Sequence, residues 1–311
     1  MTKVLITGGG GYIGAQLVPI LLERGYDVTV IDTFAHRVNS LGHVCHDDRL
    51  EIVRGDARDE ALVSAHLKDM DVVIPLAALV GAPLCDREPL SAQSINVDAV
   101  KMLVSRLSKD QQVIFPVTNS GYGVGEQGAF CTEESPLRPI SLYGRTKVEA
   151  EKIVMAHENA ISFRLATVFG MSSRMRIDLL VNDFCYRACR DRTIVIFEGH
   201  FKRNYIHVRD VALGFLHGLD NFSTMRGEVY NMGLSSANLS KLELATKIKE
   251  QVPSLVYIEA ETGEDPDKRD YIVSNDKLEA TGWRPAYSLE QGIKELVKGY
   301  QMLRNEVYSN I

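Results

Sequence analysis

Thr7-Gly8-Gly9-Gly10-Gly11-Tyr12-Ile13-Gly14 joins a short β-branched run, Lys3–Thr7 (KVLIT), to an apolar helical stripe. Gly8, Gly11 and Gly14 have the spacing G-x-x-G-x-x-G. In such a turn the first glycine permits the tight bend. The second lets the backbone approach a pyrophosphate, and the third lets the helix pack close to the sheet. The helix N-terminus then stabilises the phosphate charge. A glycine motif alone also describes an ordinary glycine-rich turn. Its place between a strand and a helix at the start of the chain favours the phosphate loop. The stripe that follows, over residues 12–24, sets Ile13, Leu17, Ile20, Leu21 and Leu22 on one face, and Gly25 ends it.

Outward from this loop the chain alternates two periods. Further strands are expected at 27–31, Leu50–Arg54, 71–76, Gln112–Thr118 and 161–168. Helical patterns lie between them at Glu60–Leu67, 91–107 and 140–158. Strands apolar on both faces and alternating with helices imply a parallel sheet. After Gly170 the rhythm breaks at Met171-Ser172-Ser173-Arg174-Met175-Arg176. Helices are expected at 177–190, 210–219, 240–251, 275–281 and 289–304. Short strands are expected near 194–197, 205–208, 228–232 and 255–259. The fold class is therefore α/β, a Rossmann-type doubly wound parallel sheet with a smaller α/β C-terminal substrate lobe. Residues 1–170 form the dinucleotide half, with 205–232 returning to it, and 171–204 with 233–311 form the substrate lobe. A ligand is expected in the cleft outside the carboxyl ends of the strands.

Composition excludes several classes. The 311 residues carry a net charge of −6, with scattered basic residues rather than the clustered stripe of a nucleic-acid surface. No apolar run approaches the length of a membrane span, and the first residues are too short for a signal-peptide core. Five cysteines, at 45, 85, 131, 185 and 189, form no disulfide framework, so a reducing cytoplasm is expected. His36, His43, Cys45 and His46 match no compact zinc pattern, and no metal is expected. Cys185 and Cys189 share an apolar helix face and read as core. There is no G-x-S-x-G nucleophile.

Asp32 ends the second strand, eighteen residues after Gly14. An acidic side chain there accepts the adenosine ribose hydroxyls and repels a 2′-phosphate, which favours NAD over NADP. Arg37, nearby, pulls the other way. Asp56, followed by Ala57, either holds the adenine amino group or caps the helix after the third strand. Tyr143-Gly144-Arg145-Thr146-Lys147 opens the helix after the fifth strand, with Tyr143 and Lys147 on one face. A lysine charge beside a phenol is expected to lower its pKa from about 10, tenfold more phenolate per unit. Tyr143 is then a credible general base toward a sugar hydroxyl. Lys147 can also hold the nicotinamide ribose.

These residues together resemble the extended short-chain dehydrogenase/reductase family, in its NAD-dependent sugar-nucleotide epimerase/dehydratase branch. Thr7–Gly14 is similar to the family's TGxxGxxG loop. Leu76-Ala77-Ala78 resembles the stretch after the fourth strand whose backbone lies along the cofactor. Asn96 lies in a similar N-V-x-x helix start. Thr118-Asn119-Ser120-Gly121-Tyr122-Gly123 resembles [ST]-x-x-V-Y-G. Arg203–Asp210 resembles R-D-Y-I-H-V-x-D. Tyr230-Asn231-Met232-Gly233 resembles Y-N-x-G. Trp283-Arg284-Pro285 with Ser288-Leu289-Glu290 resembles G-W-x-P…S-L-E.

The resemblance implies an enzyme that oxidises C4 of a nucleoside-diphosphate sugar, with Thr118, Tyr143 and Lys147 as its catalytic residues. It implies a cofactor site of Gly8, Gly11, Tyr12, Ile13, Gly14, Asp32, Asp56, Ala57, Leu76, Ala77, Ala78, Asn96, Tyr143 and Lys147. For the substrate it implies Thr118, Thr167, Arg203 and Arg269, with Arg174 and Arg176 lining the cleft. Each arginine reads alternatively as a solvated surface charge. Val195 and Phe197 fall where the family lines the nucleotide base, or else in a core strand. Thr167 stands in place of a common substrate-binding Asn, and Pro75 in place of the usual His. Family dehydratases carry Asp-Glu after the catalytic Thr, and decarboxylases keep the Glu. Here the positions hold Asn119 and Ser120, so 4-epimerase or net 4-dehydrogenase/reductase is expected. A homodimer through helices 91–107 and 140–158 is implied too. The alternative is a non-catalytic NAD-binding module of the same fold.

Overall fold

The computed structural model describes residues 2–126, 128–261 and 269–303. Seven parallel strands form the main sheet, in the order Val229–Met232, Ala160–Leu165, Gln112–Thr118, Val72–Pro75, Lys3–Thr7, Asp27–Asp32 and Leu50–Arg54. This is the Rossmann-type α/β sheet expected from the alternation of periods.

Both faces are apolar because side chains alternate along each strand. Val4 and Ile6 pack on one side with Leu17 and Leu21 of the helix Gly14–Glu23. Leu5, between them in sequence, packs on the other side with Leu67 and Leu103. Burying each such side chain stabilises the fold by about 1.5–3 kcal/mol relative to exposure. Thr7 lies opposite both Ile31 and Pro75, and Thr118 opposite Leu165. The carboxyl ends of these strands therefore finish at one edge.

Two expected elements are broken, each for a visible reason. The helix expected over 91–107 is Pro89–Gln93, a π-turn over Ser94–Asp98, and Ala99–Ser105. The wider turn carries Asn96, whose carboxamide exchanges hydrogen bonds with the Leu79 backbone, Leu79 N–H donating at 2.8 Å and Asn96 Nδ2 donating back at 3.0 Å. The strand expected over 161–168 is two strands separated by Ala166, whose amide donates to the Met232 carbonyl. Thr167–Phe169 then leaves the main sheet and pairs with Lys202–His207, which pairs with Asn238–Ser240.

That departure opens a second layer with its own core. Phe169, Val181, Phe184 and Cys185 pack with Leu244, Ile248, Ile293 and Leu296. Cys185 is buried and Cys189 half-buried, both as free thiols. Thr193–Ile196 pairs with Val256–Glu259, and Phe130–Cys131 with Ile272–Val273. The last described helix is Leu289–Gly299, so the expected end at residue 304 lies outside the described residues. Among the described residues, no helix is long and apolar enough to cross a membrane.

Candidate active site

A cavity of about 540 Å³ opens at the carboxyl edge of the main sheet. Its floor is the glycine loop. Gly8 has φ +75°, and a Cβ there would stand 2.5 Å from the Ala77 amide nitrogen. A Cβ on Gly14 would stand 2.3 Å from the Gly9 carbonyl oxygen. Neither clash can be relieved by moving a flexible side chain. No side chain caps the helix Gly14–Glu23, whose N-terminus faces this loop. A bare backbone cradle ending in an uncapped helix suits a diphosphate.

Asp32 closes the next strand and lines the same cavity. Its two oxygens accept from the amides of Gly10 (2.9 Å) and Phe34 (2.7 Å), which aims the carboxylate and leaves further lone pairs for a ligand. Arg37 also lines the cavity but is exposed. Asp56 and Ala57 line it at the end of the third strand. The N-cap of the helix Glu60–Leu67 is Asp59, not Asp56, which removes the capping alternative for Asp56. Asp56 is instead paired with Arg58 at 2.6 Å, and this pairing lowers its pKa. Tyr12, Ile13, Leu76, Ala77 and Ala78 line the cavity too. Asn96 does not. It is buried and ties the Leu79 backbone to Thr146 of the helix Leu142–Met155 (Nδ2 to Oγ1, 3.1 Å), so any effect on a cofactor passes through that loop.

Thr118, Tyr143 and Lys147 meet on one wall. Ser141 caps the helix by accepting from the Gly144 amide, which sets Tyr143 and Lys147 in the first turns. Burial pushes the Tyr143 phenol up to about 12, and Cys85 adds to this. The guanidiniums of Arg176 and Arg269, and the Thr118 side chain, pull it down. Lys147 is 5% exposed, its Nζ 4.2 Å from the centre of the Phe115 ring. Burial pulls its pKa down to about 7, against the opposing charge of Glu151. Arg176 and Arg269 are charges acting on Tyr143 that spacing along the helix did not point to.

The substrate candidates divide. Thr167, Arg174, Arg176 and Arg269 line the cavity. Arg203, Val195 and Phe197 do not. The Arg203 guanidinium is buried 5.6 Å from the ring centre of Tyr271, which does line the cavity, and it donates to the Lys202 carbonyl. Val195 and Phe197 are 52% and 39% exposed, because they lie on the outer face of Thr193–Ile196 and just beyond it. They are neither core nor cavity wall.

Two contributors were not among the expected site residues. Ser120 lines the cavity and its Oγ receives hydrogen bonds from the Thr118 hydroxyl (2.8 Å) and from Arg269 Nη1. Asn182, fully buried, donates to the Tyr12 hydroxyl (3.1 Å) and to the Arg176 carbonyl (2.8 Å), and accepts from the Gly170 amide (3.0 Å). Tyr12 lies 170 positions away in sequence, so no local spacing reveals the contact.

Comparison with known proteins identifies the family. The chain is 31% identical to the Low-salt glycan biosynthesis protein Agl12 of Haloferax volcanii, over 96% of this chain and 98% of that one. It is 27% identical to a putative UDP-glucose 4-epimerase of Methanocaldococcus jannaschii, over 94% and 97%. The structure of DesIV, a dTDP-glucose 4,6-dehydratase from Streptomyces venezuelae with NAD and TYD bound, superposes with a TM-score of 0.84 at 25% identity, covering 97% of this chain and 98% of that one. Residues 4–233 match the NAD dependent epimerase/dehydratase family, and the chain is an NAD-dependent enzyme belonging to that family.

Proposed function

We propose that the protein oxidises C4 of a nucleoside-diphosphate sugar and acts as a 4-epimerase or as a net 4-dehydrogenase/reductase. The supporting observation is the meeting of Thr118, Tyr143 and Lys147 with the glycine cradle around one cavity. NAD, when bound, accepts the hydride that leaves the sugar carbon. Gly8, Gly11, Tyr12, Ile13 and Gly14 would hold its diphosphate, Asp32 its adenosine ribose, and Lys147 its nicotinamide ribose. Tyr143 takes the proton of the O4 hydroxyl as the C4–H bond breaks, and Thr118 hydrogen-bonds the same oxygen. In an epimerase Tyr143 returns that proton to O4 when the hydride returns to the opposite face. In a net oxidation the ketone leaves. Arg269, Arg174 and Arg176 are candidates for the substrate phosphates, since guanidinium suits bidentate phosphate binding.

Elimination and decarboxylation are disfavoured by the cavity's carboxylates. Among the described residues that line it, the only carboxylates are Asp32 and Asp56, at the ends of the second and third strands. Beyond Thr118 the chain offers Asn119, which is buried, and Ser120. General acid–base help is worth about a hundred- to ten-thousand-fold. In this reading residues 1–170 with 205–232 are the cofactor half, 171–204 with 233–311 form the substrate lobe, and the protein works in the cytoplasm as a homodimer.

The experiment is incubation with a panel of nucleotide sugars, followed by cofactor absorbance and product mass. Unchanged mass with an inverted C4 supports epimerisation, and a two-hydrogen difference supports net redox. Loss of water or carbon dioxide overturns the reading. NAD binding without turnover on any member of the panel favours the binding-module alternative.

A further inference from the structure

We propose that Ser120 is a positioning residue that couples Arg269 to Thr118, so that a cation proposed for the substrate phosphates also sets the hydrogen bond that Thr118 offers the sugar. This rests on the reading of Thr118 as the group that hydrogen-bonds O4.

The three side chains make a continuous chain of contacts, and all three residues line the cavity. The Thr118 hydroxyl donates to Ser120 Oγ at 2.8 Å, and Arg269 Nη1 donates to the same oxygen. The Ser120 amide donates back to Thr118 Oγ1 at 3.1 Å, which makes Thr118 the cap of the turn Asn119–Tyr122. Thr118 and Ser120 are both buried. Arg269 arrives on an anchored segment. The Gly125 amide donates to the Asp270 carbonyl at 2.8 Å, and the Lys202 amide donates to the Asp270 carboxylate at 2.8 Å. Ile272–Val273 follows and pairs with Phe130–Cys131. The backbone next to Arg269 is thus tied to the stretch just beyond the Asn119–Tyr122 turn.

Counting hydrogens shows what the chain does. A hydroxyl has one hydrogen and two lone pairs, and a guanidinium only donates. Arg269 therefore fixes Ser120 Oγ as an acceptor. The two hydroxyls then have two hydrogens between them. One is spent inside the pair, and the other is left for the cavity. In the structure the inner hydrogen is that of Thr118. Turning both hydroxyls about their C–O bonds reverses the pair: Ser120 donates to Thr118, and Thr118 donates to a sugar oxygen. Neither arrangement moves a heavy atom. In both, the guanidinium closes one end of the chain and the ligand closes the other. A donor behind a hydroxyl strengthens the bond that hydroxyl makes in front. Arg269 thus reaches O4 through Ser120 and Thr118. A guanidinium carries five N–H donors, enough to serve Ser120 and a phosphate together. An alanine at position 120 would leave Thr118 and Arg269 with no atom in common.

The test uses NAD-loaded protein with threonine ¹³C-labelled at the γ-methyl. The Thr118 resonance is assigned by its absence in Thr118→Val. Arg269→Met is expected to shift this resonance, and to leave it still when made on Ser120→Ala. If Ser120→Ala melts early, Ser120→Cys carries the same comparison, since a thiol keeps the volume and accepts weakly. A resonance unmoved by Arg269→Met, or moved equally with and without Ser120, overturns the proposal. Kinetics on a panel of nucleotide sugars that includes UDP-glucose give the second arm. Ser120→Ala should lower kcat about tenfold with KM little changed, Ser120→Thr should recover most of the loss, and Ser120→Ala should cost nothing further on Thr118→Val. An equal fall on Thr118→Val shows that Ser120 does not act through Thr118, and overturns the proposal. A wild type that turns over no nucleotide sugar would instead overturn the C4 reading, and the resonance would still report the coupling. The two failures are therefore distinguishable.

Discussion

Two walls of the cavity are built from opposite materials. At the glycine loop the wall is backbone: Gly8 approaches Ala77, and Gly14 approaches Gly9, so closely that no side chain fits between. Another wall carries long cations, Arg174 and Arg176 from the segment after Gly170 and Arg269 from the segment before Ile272–Val273. A backbone wall is specified by what is missing from consecutive residues. A wall of long side chains is specified by where distant loops carry them. The first wall suits a shape common to all dinucleotides, and the second is free to vary with the ligand.

The strongest break in this comparison lies at the acid–base group. Tyr143→Phe keeps the ring packed and removes the oxygen, so turnover should fall by about a hundred- to ten-thousand-fold while NAD binding stays near normal. Steady-state kinetics with a verified nucleotide sugar, beside a calorimetric NAD titration, checks this. At the backbone wall, Gly14→Val overpacks against Gly9, and such strain costs about 1–3 kcal/mol. NAD affinity should fall by roughly five- to a hundredfold, more than the thermal midpoint of the cofactor-free protein suggests. Asp32→Ala removes a charged acceptor worth about 1.5–3 kcal/mol. It should weaken NAD and narrow the preference over NADP, which competition binding measures. A wild type that prefers NADP would refute the ribose role of Asp32.

At the cation wall the expected effects are smaller and fall on a different parameter. Arg269→Met should raise the substrate KM about tenfold, in line with a lost charge-assisted hydrogen bond, with NAD affinity unchanged. Val195→Ser, on the exposed strand face, should leave KM where it is. A large KM change there would bring the base-binding role back to that strand. A separate effect concerns pH. Lys147 is depressed to about 7 in the folded chain and titrates near its ordinary 10.5 when unfolded. Between those values the unfolded chain holds more protons, so this group's contribution to stability rises with pH and is least favourable below 7. Denaturant melts of the cofactor-free protein should show that slope, and Lys147→Met should flatten it.

The same contrast explains what was legible beforehand. The seven strands, the glycine cradle and the Tyr143–Lys147 face depend on local spacing, and local spacing is what a chain displays. The π-turn at Ser94–Asp98 was not legible, because it answers to Asn96 reaching the Leu79 backbone rather than to any periodicity. Val195 and Phe197 are exposed rather than core, because alternation identifies a strand without saying which face is covered. Arg203 was expected at the ligand, yet its guanidinium lies buried against the Tyr271 ring. The arginines that act on Tyr143 were not legible because they lie far from it in sequence.

The knot around Asn182 has a kinetic consequence. The Tyr12 hydroxyl donates to the Gly170 carbonyl at 2.6 Å, Ser172 donates to the Tyr12 carbonyl at 2.9 Å, and Tyr300 donates to the Asn182 carbonyl at 2.9 Å. The glycine loop and the segment that bears Arg174 and Arg176 are thereby laced into one buried unit. Parting them requires local opening, a far slower event than the diffusion of a small molecule. Such lacing lengthens the residence time of a dinucleotide held between them. A catalyst that hands its hydride back to the same sugar gains from a captive carrier. One that must exchange its reduced carrier at every cycle is throttled by it, and its turnover number then becomes the rate at which this knot comes undone.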